Sequence, residues 1–415
     1  MTDRSSDLPA GNRPLTRRRF LARAGTAGAV AAGTALAPAR VAFGAQANAG
    51  TLVVVFLRGG MDGLSVVVPA DDPHLAAARP RIAVPGGALL PLDRGFGLHP
   101  ALAPLHDLWG RGLFTAVPAV SMPDISRSHF QAQDCLERGG ASTGAAEGWL
   151  DRVLDSTSPG SAFRALTVGT TVSRALAGDQ GALALRSVDA FTLHAGDGMQ
   201  ARTTQALTAL YSGIDHPLEA TVRATMDGLR TATLVSALDA EPAAGYPEAD
   251  LGAQLAEVAR LVKLDVGLQV ACIDVGGWDM HTNLGTVDGG SMTSALTTLG
   301  AALGAFADDL GDRLDDVTVV AVTEFGRRVE QNANAGTDHG HGATVLLVGG
   351  GLAGGTVHGA WHGLAPDQLD HGDVPGWNDY RDVLGEVVST RLGVGADALR
   401  TVFPGHRVQP LGIMR

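Results

Sequence analysis

Residues Thr51–Leu57, TLVVVFL, and the segment that follows them, Arg58–Gly63 or RGGMDG, decide the fold class of this chain. The first segment is short, apolar and rich in β-branched side chains, which is typical of a strand buried on both faces of a parallel sheet. The glycines of the second segment favour a tight turn, and this turn carries the acidic residue Asp62. The pattern predicts a buried strand that ends in a polar turn.

Similar apolar runs recur at 113–117, 270–273, 317–323 and 343–348. Helical patterns lie between several of them. The clearest has apolar residues three and four positions apart, at Leu296, Leu299, Leu303, Phe306, Leu310 and Leu314. Other helices are predicted at 101–109, 130–138, 251–264 and 379–392. This alternation predicts an α/β fold of three layers with a mostly parallel sheet, in which ligands bind at the carboxyl ends of the strands.

Residues 1–48 have the composition of an export signal. Arg13 is followed by Thr16–Leu21, TRRRFL, which is the pattern read by the twin-arginine translocase, and then by an Ala-rich stretch too short for a permanent membrane span. We expect export by that translocase, cleavage after about 45 residues, and a periplasmic or extracellular location. The alternative is a basic disordered arm.

The mature chain is expected to form a single domain, residues 49–415. Within it, residues 155–250 are rich in Thr, Ala and Gly with scattered short apolar runs, which predicts a cap or insertion over the sheet. Cys135 and Cys272 are too few for a disulfide scaffold, so stability must come from the apolar core.

The chain is acidic. Its formal net charge is −12, and removal of the seven arginines and two acids of residues 1–48 takes it to about −17. This charge disfavours nucleic acid as a partner. An anionic ester substrate would need cations supplied locally by arginine or by a metal ion.

The segment Cys272–His281, CIDVGGWDMH, is the first candidate for chemistry, because it places Asp274, Asp279 and His281 just after a predicted strand. Carboxylate and imidazole groups at this density suit a divalent metal ion such as zinc or manganese. The alternative is a polar loop in which an aspartate caps a helix and the histidine is solvated.

Two further polar groups flank the last strands. Glu324 follows an apolar strand and lies near Arg327 in sequence, so these two residues form either part of a site or an ion pair. Asp338, His339 and His341 stand in a glycine-rich segment before the next strand, where a carboxylate and two imidazoles can converge on a cation. The alternative for this segment is a flexible polar loop.

Ser128 opens the helix predicted at 130–138, so it is either the N-cap of that helix or a nucleophile. The same helix start directs backbone N–H groups toward an anion, and Arg127 adds a guanidinium. We count Ser128, Arg127 and His129 as candidate catalytic residues.

Five collinear blocks resemble the bacterial exported proteins grouped as domain of unknown function 1501. The blocks are RGGMDG, SRSHFQAQD, ACIDVGGWDMHTN, VTEFGRRVEQNANAGTDHGHG and VLLVGGGLAGG with HGAWHGL. The resemblance implies an alkaline-phosphatase-like core, from the superfamily that also contains the sulfatases. Members of that superfamily use two metal ions and a serine, threonine or formylglycine nucleophile.

Carried over residue by residue, the resemblance implies that Asp62 is the metal aspartate of the first strand and that Ser128 is the nucleophile. The other implied metal ligands are Asp274, His281, Glu324 and His339. The superfamily's Asp-His-Gly motif reads Glu324-Phe325-Gly326 here, so one imidazole ligand is missing unless Asp279, Asp338 or His341 replaces it. The formylglycine signature of classical sulfatases is absent around Cys135.

The leading functional hypothesis is an exported hydrolase of phosphate or sulfate esters that uses zinc, manganese, magnesium or calcium. The alternative is a non-catalytic exported binding or accessory protein of the same fold. A serine acyl hydrolase is disfavoured, because no Gly-x-Ser-x-Gly motif surrounds Ser128.

Overall fold

Thr51–Leu57 forms strand β1, and all seven of its residues are buried. The apolar side chains at odd-numbered positions join one apolar cluster, and those at even-numbered positions join another. Because each fully buried valine or leucine contributes about 1.5–3 kcal/mol, this run of six apolar residues favours a position between two helical layers over any exposed one. The prediction of a strand buried on both faces is confirmed.

The computed structural model describes residues 50–123, 126–140, 146–195, 198–213, 218–238, 242 and 245–415. The predicted export signal, residues 1–48, lies outside the described residues. The strands after β1 are β2 Val67–Pro69, β3 Leu90–Pro91, β4 Phe96–Leu98, β5 Phe114–Ser121, β6 Ala165–Val168, β7 Leu183–Leu185, β8 Val270–Val275, β9 Val317–Val322, β10 Ala343–Gly349 and β11 Asn378–Asp379.

The α-helices of the described ranges are α1 Gly63–Val66, α2 Pro73–Ala78, α3 Ala103–Gly110, α4 His129–Glu137, α5 Trp149–Asp155, α6 Gln200–Tyr211, α7 Leu218–Ser236, α8 Asp250–Lys263, α9 Ser291–Leu310, α10 Tyr380–Leu392 and α11 Ala396–Val402. Short 3-10 helices occur at Gly86–Ala88, Pro100–Leu102, Arg174–Leu176, Gly311–Asp316 and Pro366–Gln368. Among the described helices, none combines the length and apolar content needed to cross a bilayer.

Within the described residues, eight strands form one mixed sheet in the order β11-β5-β10-β9-β1-β8-β6-β7. Each neighbouring pair is parallel except the two pairs that include β10. Strand β10 therefore runs against the others, and its first residue lies at the edge where β1, β8 and β9 end. A loop that precedes β10 can thus meet the loops that follow those three strands.

Helices cover both faces of this sheet. Residues of α3, α7, α8 and α9 pack on one face, and residues of α4, α5, α10 and α11 pack on the other. The predicted α/β fold with three layers and a mostly parallel sheet is confirmed.

The segment 155–250 contributes to the sheet itself. Strands β6 and β7, in the region predicted as a cap or insertion, extend the sheet beyond β8. These strands have four and three residues. Such short runs carry too little periodicity to be distinguished from loop segments in the sequence.

Candidate metal centre

Loops from four strands meet at one edge of the sheet, and two glycines allow their close approach. Gly59, after β1, has a φ of +125°, and a Cβ there would lie 2.4 Å from the amide nitrogen of Asp279. Gly336, before β10, approaches the loop after β8, where a Cβ would lie 2.1 Å from the carbonyl carbon of His281. Both positions therefore require glycine, since a side chain would separate the loops.

Glu324, after β9, is the buried acceptor at the base of this site. Its carboxylate accepts hydrogen bonds from the Gly59 amide at 2.9 Å, from Nδ1 of His129 at 2.8 Å and from Nε2 of Gln133 at 2.9 Å. Burial by itself raises the pKa of Glu324, but the hydrogen bonds from Gln133, His129 and Gly59 outweigh burial and hold the pKa below its usual value. Glu324 is therefore an anion that can only accept.

His129, the first residue of α4, is oriented by this anion. The carboxylate of Glu324 can only accept a hydrogen bond, so Nδ1 of His129 must donate it. In the neutral ring the proton therefore lies on Nδ1 and the lone pair on Nε2. Within the described residues, the buried Nε2 atom has no hydrogen-bond partner, and it lies 3.4 Å from Oδ2 of Asp279. Such a carboxylate–histidine pair is the usual support of a metal-ligating imidazole.

His339 and His281 repeat this arrangement. Nδ1 of His339 donates to the carbonyl oxygen of Arg127 at 2.9 Å, and Nδ1 of His281 donates to the carboxylate of Asp338 at 3.0 Å. Their Nε2 atoms lie 3.1 Å and 2.9 Å from Oδ1 of Asp279, and 3.0 Å from each other. In the neutral rings two lone pairs face each other across this gap, which a cation between them would stabilise.

Asp279 is the carboxylate on which the three rings converge. Burial raises its pKa, but the hydrogen bond from Arg327 and the positive charge of that guanidinium outweigh burial and lower the pKa to about 2. Asp279 is therefore ionised throughout the neutral range, and one face of the side chain stays open, with 48% of it exposed.

These residues fit a divalent ion. The donor atoms of His129, Asp279 and His339 lie within 4.8 Å of one another. In a tetrahedral site with bonds of about 2.1 Å, ligand atoms are about 3.4 Å apart, which matches the 3.4 Å between Nε2 of His129 and Oδ2 of Asp279. His281 supplies one more imidazole beside Asp279. Imidazoles with one carboxylate suit zinc or manganese.

Arg327, after β9, holds the loops around the cluster. Its side chain is 1% exposed and donates to Oδ1 of Asp279 at 2.7 Å. The guanidinium also donates to four backbone carbonyl oxygens, those of Gly59, Gly60, Trp278 and Thr337. These carbonyls belong to the loops after β1 and β8 and before β10, so one side chain connects every loop of the site.

Two aspartates predicted as metal ligands have other partners. The carboxylate of Asp62 is 1% exposed and accepts from Arg79 at 2.5 Å and 2.9 Å and from the Ser65 hydroxyl at 2.5 Å. Asp274 pairs with Arg58 at 2.8 Å. The structure does not bring either residue into the histidine cluster. Each carboxylate instead forms an ion pair with an arginine.

The residues before β10 divide between the cluster and its surroundings. Asp338 lies behind His281, and hydrogen bonds from Asn332 and His281 lower the pKa of its carboxyl. His341 lies near Asp373, away from the cluster, and burial lowers the pKa of its imidazole. His339 thus joins the cluster directly, Asp338 supports it, and His341 does not take part.

The candidate catalytic residues border the same site. Ser128 is the exposed N-cap of α4, and its side chain makes no capping hydrogen bond in the described structure. Arg127 presents its carbonyl oxygen to His339, while its guanidinium pairs with Asp373. The hydroxyl of Ser128 is therefore not used by the helix that it opens.

Gln133 and Arg79 had no role predicted from the sequence, and His129, predicted as a catalytic residue, is by its geometry a metal-ligand candidate. His129 and Gln133 are four residues apart on α4, and both contact Glu324. That spacing places two polar side chains on one face of the helix and was the signal available in the sequence.

Three comparisons relate this chain to known proteins. A family model described as "Protein of unknown function (DUF1501)" matches residues 115–374. No curated protein sequence gives a significant match. The structure is similar to that of the PsFucS1 sulfatase from Pseudoalteromonas sp., with 11% identity and a TM-score of 0.38, covering 89% of this chain and 74% of that one.

It is also similar to alkaline phosphatase from the Antarctic bacterium TAB5, with 8% identity and a TM-score of 0.29, covering 74% of this chain and 93% of that one. Both TM-scores lie below 0.5, so the interpretation of the site rests on its own geometry.

Proposed function

The chain belongs to the DUF1501 family, as its sequence blocks predicted, and on this premise we propose that it is a metal-dependent hydrolase of phosphate or sulfate esters. The observation that carries the proposal is the common orientation of three histidines. His129, His281 and His339 each donate Nδ1–H to an acceptor and direct Nε2 toward Asp279. This is the arrangement of a metal site whose ligands are fixed by outer partners.

The protein's own residues supply position and charge. Glu324 and Asp338 accept hydrogen bonds from Nδ1 of His129 and His281 and so orient the Nε2 atoms of both rings toward Asp279. Arg327 keeps Asp279 ionised and fixes the loop that carries it. A divalent ion bound there would stabilise negative charge on the ester oxygens and activate the attacking group.

The substrate side of the site lies along the start of α4. Arg127 is 45% exposed beside the cluster and can contact a non-bridging oxygen of an anionic ester. Ser128 follows it with a hydroxyl that makes no capping hydrogen bond in the described residues; it is the candidate nucleophile, and an activated water is the alternative.

The metal part of the proposal is tested with purified mature protein, loaded with zinc or manganese, on 4-nitrophenyl phosphate, 4-nitrophenyl sulfate and bis(4-nitrophenyl) phosphate. We expect hydrolysis of at least one ester, loss of that activity after chelation, and a decrease of about a hundredfold or more in Asp279→Asn. The matched control is Asp308→Asn, because Asp308 is 78% exposed and pairs only loosely with Arg111 at 4.0 Å. Absence of hydrolysis of all three esters by the metal-loaded protein would refute the proposal.

The role of Ser128 is tested by Ser128→Ala. Because no capping hydrogen bond is lost, we expect a change in melting temperature smaller than the few degrees of a typical cap deletion. If Ser128 is the nucleophile, hydrolysis falls by orders of magnitude while the metal content stays the same. Full activity in this variant assigns the attack to water.

A second candidate function is an exported binding or accessory protein without hydrolytic activity. The observation that favours it is the pairing of Asp62 with Arg79 and of Asp274 with Arg58, which removes two of the ligands implied by the family resemblance. This function predicts that the protein binds metal and a small anion, and that it hydrolyses none of the three esters.

We also propose that the protein is exported by the twin-arginine translocase and acts in the periplasm or outside the cell. Replacement of Arg17 and Arg18 by lysine is expected to leave the protein in the cytoplasm with its first 45 or so residues attached. Normal maturation of that variant would refute this location.

A further inference from the structure

We propose that the centre binds one divalent ion rather than two, and that the loaded site selects an ester group with a single negative charge. The proposal rests on the proposed function, because it concerns the same site. It names the number of ions and the charge class of the substrate: a phosphate diester or a sulfate ester in preference to a phosphate monoester.

The first support is that both carboxylate oxygens of Asp62 already accept hydrogen bonds within the protein. A carboxylate that ligates a metal ion must offer a lone pair to it, yet both oxygens of Asp62 accept from Arg79 and one also accepts from Ser65. Arg79 is itself 1% exposed and donates further to the carbonyl oxygens of Arg328 and Val329. Release of Asp62 toward a second ion would leave this buried guanidinium without its carboxylate, which is strongly destabilising.

The second support is the ion pair that Asp274 forms with Arg58. Arg58 binds Asp274 at 2.8 Å and Glu137 at 2.9 Å, and it also donates to Gln133 at 3.2 Å. Since Gln133 in turn donates to Glu324, a movement of Asp274 and Arg58 would disturb the support of His129. The chain thus pairs both of these implied metal ligands with its own arginines.

The third support is charge. In the part of the chain that the structure describes, three carboxylates contact the rings of the cluster, namely those of Asp279, Glu324 and Asp338, and one guanidinium, that of Arg327, lies among them. With neutral rings these groups carry a net charge of −2, which one divalent ion balances. A second divalent ion would leave the site with two uncompensated positive charges.

The adjacent segment supplies the charge that selects the substrate. Arg127 and Arg328 both contact the buried carboxylate of Asp373, Arg127 in a direct ion pair and Arg328 at 3.9 Å. Among the described residues, two guanidiniums therefore face the carboxylate of Asp373, which leaves one positive charge at this segment. The carbonyl oxygen of Arg127 accepts from His339, so the segment that carries this charge borders the cluster. One positive charge matches a monoanion better than a dianion.

The number of ions is measured by titration of metal-free protein with zinc, with the bound zinc counted by elemental analysis after gel filtration. We expect one ion per chain in the wild type. Two ions per chain, or none, would overturn the inference.

The charge class is measured by calorimetric titration of zinc-loaded protein at pH 8 with dimethyl phosphate, methyl sulfate and methyl phosphate. At this pH methyl phosphate is a dianion, since its second pKa is near 6, and the other two are monoanions. We expect both monoanions to bind about tenfold more tightly than methyl phosphate. Equal or tighter binding of methyl phosphate, or no binding of the monoanions, would overturn the inference.

The source of the selectivity is tested with Arg127→Gln. Loss of one charge-assisted contact is expected to weaken the binding of dimethyl phosphate by about tenfold or more, while one zinc ion still binds. The matched control is Arg230→Gln, which removes an exposed arginine paired with Asp227 on α7. One bound ion with selective monoanion binding, but no hydrolysis of any ester, would refute the hydrolase function and leave this inference intact.

Discussion

At the scale of single residues, the site depends on which nitrogen of each histidine carries the proton. An imidazole can ligate a cation only through a nitrogen that has a free lone pair. Here a carboxylate or a carbonyl oxygen holds a proton of each ring on Nδ1, which leaves Nε2 as the nitrogen through which the ring can ligate a cation. The acceptors behind the rings therefore matter nearly as much as the rings.

Glu324→Gln tests this dependence. The amide keeps the size of the side chain but loses the charge that holds the proton of His129 on Nδ1, so we expect the zinc affinity to fall by about 10- to 100-fold. The measurement is competition with a chelator of known affinity. Glu257→Gln is the matched control, because Glu257 is also buried but accepts from the Val188 amide far from the cluster. An unchanged affinity in Glu324→Gln would contradict the assigned role.

His99 shows the same principle in a structural position and gives a pH dependence. Its Nδ1 accepts from the Ala101 amide and its Nε2 donates to the carbonyl oxygen of Thr286. Burial lowers the pKa of His99, although the Thr286 hydrogen bond opposes this. The unfolded chain therefore binds a proton at a higher pH than the folded chain does, and the stability contributed by His99 is lost as the pH falls below about 6.5.

We expect the free energy of unfolding to decrease between pH 7.5 and pH 5.5, and to decrease less in His99→Gln than in the wild type. The measurement is urea unfolding at both pH values. His371→Gln serves as the control because that side chain is 94% exposed. Equal pH dependence in wild type and His99→Gln would show that His99 does not contribute.

At the scale of elements, short turns decide whether the loops can meet. The φ of +125° at Gly59 is unfavourable for any other residue, and the backbone of the Asp279 loop leaves no room for a Cβ there. We expect Gly59→Ala to lower the free energy of unfolding by about 1–3 kcal/mol and to weaken zinc binding. Gly276→Ala lies in the loop after β8, where a Cβ would meet nothing within 4 Å, and it is expected to change stability by less than about 0.5 kcal/mol.

The comparison is made by denaturant unfolding and zinc titration of both variants. Similar losses in Gly59→Ala and Gly276→Ala would mean that the close approach of the two loops is not the cause.

At the scale of the whole molecule, the site exists because one strand is reversed. Since β10 is antiparallel to its neighbours, the residues before it reach the edge where β1, β8 and β9 end. The side chain of Arg327 then connects these segments by hydrogen bonds. Its partner Gly60 lies more than 200 positions earlier in the sequence. A single buried guanidinium thus connects distant parts of the chain.

Arg327→Lys removes this connection and retains the charge. Lysine has three donors on a flexible stem, whereas the guanidinium has five in a fixed plane, so lysine cannot reach four carbonyl oxygens and Asp279 together. We expect a lower melting temperature and at least tenfold weaker zinc binding. Arg81→Lys is the control, because Arg81 is exposed yet also donates to two carbonyl oxygens. Equal effects in both variants would refute the role of Arg327.

The sequence by itself determined the fold class and the position of the main elements. A strand that is apolar on both faces, such as Thr51–Leu57, is buried fully only between two layers of helices. The helix at Ser291–Leu310 follows from the spacing of its apolar residues. The sequence also identified the loops of the candidate site, because polar residues that follow buried strands meet at one sheet edge. These inferences depend on local patterns alone.

Only the tertiary structure decided which polar residues meet. The pairing of Asp62 with Arg79 and of Asp274 with Arg58, and the convergence of His129 on Asp279, depend on contacts between segments far apart in the chain. The sequence lists the charged groups, but a carboxylate binds whichever cation the packing of the strands brings nearest. The direction of β10 also depends on contacts between distant segments. An apolar run can join the sheet in either direction, and the neighbouring strands and the connecting loops determine which direction it takes.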